Sequence, residues 1–378
     1  MDKQNSIQRT DKLLFTPGPL TTSLTVKEAG LSDLGSRDHA FVARVRQIRE
    51  KLLDLAHVKS PDYETVIMQG SGTFGVEATI SSVIPSNGTL LNIINGAYGH
   101  RISTMARIHS IPIIELVYEE NEIPDLLEID LILRNHPEIT HLAVVHGETT
   151  TGLLNPIAEI GLIAESYNKV YIVDAMSTFG AYDIDLKASK ISFLISSSNK
   201  CIEGIPGFSF ILARHSELIK CKGQARSLSL DLYEQWNALE TNGQFRFTPP
   251  VQALLAFSQA LVELENEGGV NGRAERYSIN NALLCGEMKE LGFEIYLPSN
   301  LRSYIITSFL YPSHPGFSFE TFYTKLNEKG FVIYPGKLSK VDCFRIGNIG
   351  QLHPVDIQNL VDAIESVLHE MNIELTIN

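Results

Sequence analysis

Short β-prone runs alternate with amphipathic helical segments between residues 42 and 212, and this alternation limits the possible folds more than any other feature. The predicted strands cover residues 65–69, 90–95, 111–118, 141–145, 170–174, 191–196 and 208–212. The predicted helices cover residues 42–57, 74–83, 98–110, 129–135 and 156–167. Such alternation predicts an α/β fold in which a mostly parallel sheet carries helices on both faces. Ligands bind at the carboxyl ends of such strands, so the residues that follow the strands are site candidates.

The length of 378 residues exceeds what one hydrophobic core usually serves, so we expect a large and a small domain. From Thr248 onward the pattern changes, with helices at 249–267, 273–291, 319–329 and 356–371 and strands at 304–310 and 343–346. We predict a large domain over residues 17–260 and a small C-terminal domain over residues 261–378. Residues 1–16 are predicted to form an N-terminal arm that belongs with the small domain but is not part of a core.

The composition argues against several classes of protein. The 31 basic and 44 acidic residues give a net charge of −13, which disfavours binding to nucleic acid or to an anionic membrane surface. No apolar run reaches membrane-spanning length, and residues 1–12 lack the apolar core of a signal peptide. The four cysteines form no CxxC pair, as expected for reduced thiols in a cytoplasmic protein. The eleven histidines show no HxxxH or HExxH spacing, so no metal site is predicted.

Lys200 stands at the end of a predicted buried strand, after Ser196-Ser-Ser-Asn199 and before a turn that contains Gly204 and Gly207. A lysine in such a place is costly unless it is paired or neutral. Desolvation favours the neutral amine, which is the form that attacks carbonyl groups and makes Schiff bases. A lysine that merely extends from a loop is the common alternative. The neighbouring Cys201 is expected to face away from whatever Lys200 contacts.

Three other strand ends carry residues that can share a pocket with Lys200. Ser71-Gly-Thr73 offers backbone N–H groups and two hydroxyls as an anion cradle, although a simple tight turn with an N-cap also explains it. Asp174 can cap a loop, bind a metal or pair with a protonated heterocycle. The interval of 200 − 174 = 26 residues to Lys200 leaves room for one crossover and one more strand. Tyr98 can present a flat ring to a ligand or pack in the core.

A phosphate cradle, an aromatic ring, an aspartate and a lysine together suit pyridoxal 5'-phosphate. With these residues in view, the sequence resembles the class V, fold-type-I pyridoxal-phosphate aminotransferases over nearly its whole length. The matching segments are 14–22 (LFTPGPLTT), 69–73 (QGSGT), 95–99 (NGAYG), 148–156 (ETTTGLLNP), 171–177 (YIVDAMS), 196–204 (SSSNKCIEG), 221–233 (CKGQARSLSLDLY), 331–337 (FVIYPGK) and 343–350 (CFRIGNIG).

The resemblance implies a fold, a cofactor and a reaction. The implied fold is that of a fold-type-I transferase, with a large domain around a mostly parallel sheet and a smaller α/β C-terminal domain. The implied cofactor is pyridoxal 5'-phosphate, held as a covalent Schiff base on Lys200, in a homodimer with active sites at the subunit interface. Segments 226–231 and 196–204 resemble the members that act on phosphonates. This implies 2-aminoethylphosphonate as amino donor and pyruvate as acceptor, giving phosphonoacetaldehyde and L-alanine in phosphonate catabolism.

The resemblance also implies a role for each candidate residue. Lys200 would be the proton shuttle as well as the covalent anchor, and Asp174 would pair with the pyridinium nitrogen. The other cofactor contacts would be Ser71, Gly72 and Thr73 at the phosphate, Thr248 from the other subunit, Tyr98 on the ring, Thr149 at its hydroxyl side, and Met176 and Asn199 at the pocket wall. Arg345 would bind the acidic group of the substrate, and Arg37 and Arg226 are further substrate-binding candidates.

Alternative functions come from the same family and from outside it. An alanine:glyoxylate or serine:pyruvate aminotransferase would run the same chemistry on carboxylates only, and the phosphonate-type segment 226–231 argues against it. A cysteine desulfurase would need a cysteine on a mobile loop, and Cys343 lies inside a strand-like run. A protein that only binds pyridoxal phosphate or a phosphonate would need neither Lys200 nor Asp174.

Overall fold

The computed structural model describes residues 11–336, 338 and 340–375, so residues 1–10 of the predicted arm and Lys337 lie outside the description. The strands are β1 (Leu13–Leu14), β2 (Tyr63–Gln69), β3 (Thr89–Ile94), β4 (Ile113–Val117), β5 (Ile139–Val145), β6 (Gly147–Glu148), β7 (Leu153–Leu154), β8 (Val170–Asp174), β9 (Phe193–Ser197), β10 (Phe208–Arg214), β11 (Ile306–Leu310), β12 (Phe331–Val332), β13 (Tyr334–Pro335) and β14 (Cys343–Gly347). The helices are α1 (Leu24–Ala29), α2 (His39–Asp54), α3 (Gly72–Val83), α4 (Ala97–Ile108), α5 (Leu126–Asn135), α6 (Ile157–Ser166), α7 (His215–Leu218), α8 (Leu232–Asn242), α9 (Val251–Asn266), α10 (Gly269–Glu290), α11 (Phe319–Glu328) and α12 (Pro354–Glu370).

A seven-stranded sheet forms the centre of the structure, in the order β2-β10-β9-β8-β5-β3-β4. Strand β10 runs antiparallel to both of its neighbours, and the other pairs in the sheet are parallel. The prediction of an α/β fold with a mostly parallel sheet is confirmed. Six strands therefore run in the same direction. The residues that follow β2, β3, β5, β8 and β9 meet at the carboxyl end of these parallel strands.

Both faces of this sheet are buried, which explains why its strands are nearly continuous apolar runs. In β5, Leu142 and Val144 belong to one core cluster, whereas Ala143 and Val145 belong to another on the opposite face. The first cluster includes residues of α2 and α9, and the second includes residues of α3 and α4. The alternation of side chains along each strand thus serves two cores at once.

Several helices begin where a short polar side chain accepts an N–H of the first turn. The N-cap residues that do so are Ser23, Asp38, Asp125, Asp231 and Ser318. Two of these helices, α1 and α8, were not predicted from the sequence. The break between the two helices is much shorter than the predicted 267–272. Only Gly268 and Gly269 take a positive φ there, of +101° and +71°, and α10 already begins at Gly269.

A second, smaller layer is built from the C-terminal part of the chain. The antiparallel sheet β11-β14-β13 packs with α10, α11 and α12 around stacked aromatic rings, of which Phe309 and Phe344 are 5.6 Å apart. Strand β1 pairs in parallel with β12, and Phe15 is completely buried in the same cluster. The expectation that the N-terminal arm would not join a core is therefore wrong, because Phe15 fills a space between the small sheet and its helices.

The boundary between the predicted domains stays a prediction. Helix α9 runs without interruption through residue 260, and Leu261 and Leu264 pack in the core of the large sheet. Of the residues described, no helix has both the length and the apolar character that a membrane span requires.

A buried cluster of charges joins the turn after β9 to helix α10. An Oε of Glu203 lies 3.3 Å from Nη1 of Arg273 and 2.8 Å from Nη2 of Arg276, and it accepts a hydrogen bond from the hydroxyl of Tyr277. Glu267 pairs with the Nε atoms of both arginines at 2.6 Å. Two carboxylates thus balance two guanidinium groups, which is the condition for burying such charges without a large penalty.

The same cluster is bonded to backbone on two sides. The N–H of Glu203 donates to the carbonyl of Lys200 at 2.7 Å. In the loop after β14, Arg276 donates to the carbonyl of Gly350, and the N–H of Gly350 donates to the hydroxyl of Tyr277 at 3.1 Å. The cluster therefore connects the turn that carries Lys200 to the small C-terminal layer.

We expect Glu203→Ala to destabilise the protein by about 3 kcal/mol, because it leaves two buried guanidinium groups with a single carboxylate. Urea unfolding of the cofactor-free protein measures the shift of the midpoint. Glu370→Ala is the control, since Glu370 pairs with Lys325 and Lys329 at the surface, where solvent screens the charges. Equal midpoints for the two variants would contradict a structural role for the cluster.

Candidate active site

A cavity opens at the edge of the sheet where the parallel strands end, and it encloses about 490 Å³ of empty space including its mouth. Of the predicted site residues, the following line it: Thr73, Tyr98, Thr149, Asp174, Met176 and Lys200. Its other lining residues are Val76, Arg101, Ile102, Met105, Val145, Gly147 and Ser177. The fold thus brings together residues that follow β2, β3, β5, β8 and β9, as the chain order predicted.

Asp174 is the last residue of β8 and is 6% exposed. Its Oδ1 accepts a hydrogen bond from the N–H of Met176 at 2.9 Å. Burial raises the pKa of Asp174 to about 6, against the opposing effects of that bond and of the positive charges on Arg101 and Lys200. At neutral pH this carboxyl is therefore mostly ionised, and a nearby positive charge favours the ionised form further.

Lys200 extends into the cavity from the turn after β9. Burial lowers the pKa of its amine, while Tyr98, Cys201 and Asp174 act in the opposite direction. The amine is thereby biased toward the neutral form that attacks carbonyl carbons. Cys201 has a different environment: its Sγ donates to the carbonyl of Ser177, and burial raises the pKa of the thiol to about 12. Cys201 is therefore a protonated residue that packs in the interior. It is not among the residues that line the cavity, in agreement with its predicted orientation.

The segment Ser71-Gly-Thr73 forms the first turn of α3. Ser71 is the N-cap residue, but its side chain makes no capping hydrogen bond, unlike Ser23 and Ser318 at the same position of other helices. A Cβ on Gly72 would lie 2.3 Å from the sulfur of Met176, so a larger residue here would require the Met176 side chain to move. A helix N-terminus with two hydroxyls suits a phosphate group.

Helix α4 places a tyrosine and an arginine on the face that borders the cavity. The guanidinium of Arg101 lies 4.9 Å from the centre of the Tyr98 ring, and its Nη1 donates to Oγ1 of Thr73 at 3.3 Å. Arg101 was not predicted from the sequence, although its spacing of three residues from Tyr98 puts both on one helical face. It adds a positive charge next to the phosphate cradle.

Glu148 is a further residue that the sequence did not reveal as part of the site. It is fully buried, and its Oε1 accepts the N–H groups of Tyr98 and Gly99 at 3.0 and 2.9 Å, while Oε2 accepts the hydroxyl of Thr150 at 3.1 Å. Glu148 therefore caps the first turn of α4 from another part of the chain. Burial raises its pKa to about 7 despite these donors, and Asp174 adds to the increase.

Arg345 lies in β14 and is 2% exposed. Its Nη1 donates to the carbonyl of Thr149 at 2.7 Å and its Nε to the carbonyl of Pro335 at 3.0 Å. Burial lowers the pKa of the guanidinium, and the hydroxyl of Tyr98 beside it acts in the opposite direction. Arg345 is outside the cavity lining, but it is near enough to Lys200 to lower the pKa of that amine.

Besides Arg345, and Ser71 and Gly72 at the start of α3, four predicted residues are outside the cavity lining of the single chain. Asn199 accepts a hydrogen bond from Ser197, and Arg37 and Thr248 are exposed on loops. The guanidinium of Arg226 donates to the carbonyl oxygens of Ser81 and Ile84, at the carboxyl end of α3. The cradle is at the amino end of that 12-residue helix, about 18 Å away. Arg226 therefore bonds the end of α3 that is opposite the cradle, and a role for it in substrate binding stays a prediction.

The groups around the cavity fit pyridoxal 5'-phosphate. The first turn of α3 offers N–H groups and hydroxyls to a phosphate ester, Lys200 offers an amine to an aldehyde carbon, and Asp174 offers a carboxylate to a protonated ring nitrogen. Tyr98 offers a ring face for stacking. Over the part of the chain that the structure describes, no three His, Cys, Asp or Glu side chains are grouped as metal ligands.

The chain belongs to the class V aminotransferase family, since residues 23–341 match the family described as Aminotransferase class-V. It is an aminotransferase with pyridoxal 5'-phosphate as its cofactor. Over 353 residues it is 54% identical to the 2-aminoethylphosphonate--pyruvate transaminase of Bacillus cereus (strain Q1), which covers 93% of this chain and 96% of the relative. The protein of the same name from Bacillus anthracis (strain A0248) has the same identity and coverage. The resemblance predicted from the motifs is confirmed.

Solved structures agree on the fold. The structure superposes on that of pyridoxamine-pyruvate aminotransferase from Mesorhizobium loti with a TM-score of 0.88. The two sequences are 23% identical, and the match covers 97% of this chain and 94% of the other. It also superposes on the structure of ureidoglycine-glyoxylate aminotransferase from Bacillus subtilis, with a TM-score of 0.90. Here the sequences are 22% identical, and the match covers 98% of this chain and 96% of the other. The predicted fold-type-I architecture is therefore confirmed.

We expect Asp174→Asn to keep the fold and to slow transamination by about 100-fold or more, close to 2.7 kcal/mol in the barrier. An asparagine Oδ1 can still accept the N–H of Met176, but a neutral amide cannot hold a protonated ring nitrogen. Single-turnover rates measure the effect. Asp125→Asn, the same change at an exposed residue that also accepts a backbone N–H, is the control. Rates for Asp174→Asn within about twofold of the parent would refute the pairing.

Proposed function

We propose that the protein transfers the amino group of 2-aminoethylphosphonate to pyruvate, giving phosphonoacetaldehyde and L-alanine. The observation that carries the proposal is 54% identity over 93% of the chain to relatives named for this reaction. The step removes nitrogen from a phosphonate before the carbon–phosphorus bond is cut, so it serves phosphonate catabolism. The alternative reaction, between alanine or serine and a keto acid, has no specific observation in its favour.

We propose the following roles for the groups around the cavity. Bound pyridoxal phosphate supplies a ring that withdraws electrons from the carbon bearing the amino group. Lys200, biased toward the neutral amine, would take the proton from that carbon of the substrate. It would then deliver the proton to the carbon of the cofactor that is bonded to the amino nitrogen. Asp174 holds a proton at the ring nitrogen, and Tyr98 supports the face of the ring. Ser71, Gly72 and Thr73 bind the phosphate, and Met176 limits the space beside it.

Arg345 is proposed to bind the anionic end of both substrates. The amino donor ends in a phosphonate and the acceptor in a carboxylate, and a guanidinium can meet either with two parallel N–H···O bonds. Its bonds to the carbonyls of Thr149 and Pro335 hold the side chain in one orientation. Because it is already anchored, little side-chain freedom remains to be lost on binding.

A homodimer with the active site at the subunit interface is proposed as the working form. Phe74 and Phe247 are 51% and 45% exposed, and Gln69 donates to the carbonyl of Phe247 at 3.0 Å. Two exposed phenylalanines beside the phosphate cradle are typical of a surface that another subunit covers. Thr248 follows Phe247, and in a dimer it would reach the phosphate of the other subunit.

The cytoplasm is proposed as the location of the protein. Cys201, Cys221, Cys285 and Cys343 are all buried and free of disulfides. Unpaired thiols are typical of a reducing compartment.

The proposed reaction is tested by offering a panel of amino donors with pyruvate and measuring L-alanine. 2-Aminoethylphosphonate should be the best donor, ahead of L-serine and glycine. Lys200→Ala should form no alanine while it keeps the circular dichroism spectrum of the parent, because the variant lacks both the covalent anchor and the base. If 2-aminoethylphosphonate is no better than L-serine or glycine, the proposed substrate is wrong.

We expect Arg345→Lys to raise the barrier of both half-reactions by roughly 1–3 kcal/mol, the scale of a lost charge-assisted hydrogen bond. Lysine is a point charge and cannot meet a phosphonate or carboxylate with a planar fork. Single-turnover rates for each substrate provide the measurement. Arg134→Lys, at an exposed pair with Asp130, is the control. Should only one substrate be affected, Arg345 is not the shared clamp, and Arg37 becomes the candidate for the other anion.

A further inference from the structure

The N-terminal arm forms one wall of the space around Lys200. Nζ of Lys200 donates a hydrogen bond to the carbonyl oxygen of Pro17 at 2.6 Å. A Cβ on Gly18 would lie 2.7 Å from that Nζ and 2.9 Å from Cδ of the same lysine, which is closer than real contacts allow. Gly18 also has a φ of +118°, in the region that favours glycine. Only a glycine at this position lets the lysine side chain lie against the arm.

The shape of this part of the arm does not depend on Lys200. Oγ1 of Thr16 donates to the carbonyl of Pro19 at 2.6 Å and accepts the N–H of Gly18 at 3.3 Å. Thr16 is 1% exposed, so water does not compete for these bonds. The carbonyl of Pro17 is therefore held in place by bonds within the turn itself.

The arm is also fixed to the strand that carries Arg345. The carbonyl of Phe15 accepts the N–H of Gly347 at 3.0 Å, at the end of β14. Phe15 is completely buried in one cluster with Phe344, which lies next to Arg345 in the same strand. Movement of the turn relative to Arg345 would break this packing. The acceptor for the Lys200 amine and the proposed substrate clamp therefore belong to one packed unit.

We propose that the turn Thr16–Pro19 is a docking site for the free amine of Lys200, with the carbonyl of Pro17 as the acceptor. The proposal rests on the proposed function, in which this amine leaves its covalent bond and then acts on a proton of the substrate. A free lysine side chain has about 2 kcal/mol of rotamer entropy, so an unheld amine would spend much of its time away from the reacting carbon. Pro17 and Gly18 are positioning residues, because they act through Lys200.

The test uses the cofactor-free protein and measures how fast the Lys200 amine is acetylated by acetic anhydride at neutral pH. Mass spectrometry compares Lys200 with the exposed Lys187 in the same sample. In Gly18→Ala the added Cβ takes the space of Nζ and Cδ and displaces the amine from Pro17. We expect labelling to become about fivefold faster, the factor for one hydrogen bond of roughly 1 kcal/mol.

Gly223→Ala is the matched control. Gly223 has a φ of +73° and no heavy atom within 4 Å of an added Cβ, so Gly223→Ala adds a Cβ at a positive φ without touching the lysine. Should Gly18→Ala lose its fold by circular dichroism, Thr16→Val takes its place, because it removes the hydroxyl that holds the turn and keeps the shape of the side chain. The proposal is supported if Lys200 is labelled faster in Gly18→Ala than in the parent and at the parent rate in Gly223→Ala. An unchanged rate in the folded variant overturns it.

A second measurement separates this proposal from the proposed function. Labelling needs neither cofactor nor substrate, so it gives a result even if 2-aminoethylphosphonate proves to be the wrong donor. In the loaded enzyme, Gly18→Ala should increase the deuterium isotope effect at the carbon bearing the amino group, because proton transfer by Lys200 becomes slower relative to binding. An unchanged isotope effect with a slower overall rate would contradict a role in positioning the base.

Discussion

The buried charges around Glu203 are the constraint on which the site depends. They bond the turn after Lys200 to helix α10 and to the loop that follows β14, and they are balanced only when both carboxylates and both guanidinium groups are present. Buried ions tolerate no missing partner, so this cluster permits one arrangement of the sheet edge against the small C-terminal layer. Arg345 lies in β14, directly before the loop that the cluster bonds, and so is held beside the cavity.

Burial shifts the pKa values of two acids and one base at the carboxyl end of the sheet, in opposite directions. It raises the pKa of Asp174 to about 6 and that of Glu148 to about 7, and it lowers the pKa of Lys200. Each group keeps a specific partner, which is Met176 for Asp174, the first turn of α4 for Glu148, and Pro17 for Lys200. A lysine whose pKa is lowered by burial is a better general base at neutral pH, which suits the proton transfer that transamination requires.

The placement of a site residue could be predicted from the sequence where it depends on the order of strands along the chain. It could not be predicted where it depends on contacts between distant segments. Asp174 and Lys200 each follow a β-prone run, and parallel strands bring their ends to one edge whatever the loops between them do. Glu148 caps a helix that begins about fifty residues earlier in the chain, and no local pattern marks such a pair. Arg226 was assigned to substrate from its motif, but the motif does not tell which end of α3 the guanidinium meets.

The sequence by itself determined the α/β class, the parallel sheet and the identity of the lysine and aspartate, because periodicity and strand ends are local properties of the chain. It also determined the family, through short motifs that are each contiguous in the chain. Only the tertiary structure decided that Phe15 is a core residue and that the arm beside it reaches Lys200. The physical reason is that burial and hydrogen-bond partners arise from segments far apart in sequence, whose approach is set by the packing of the two layers.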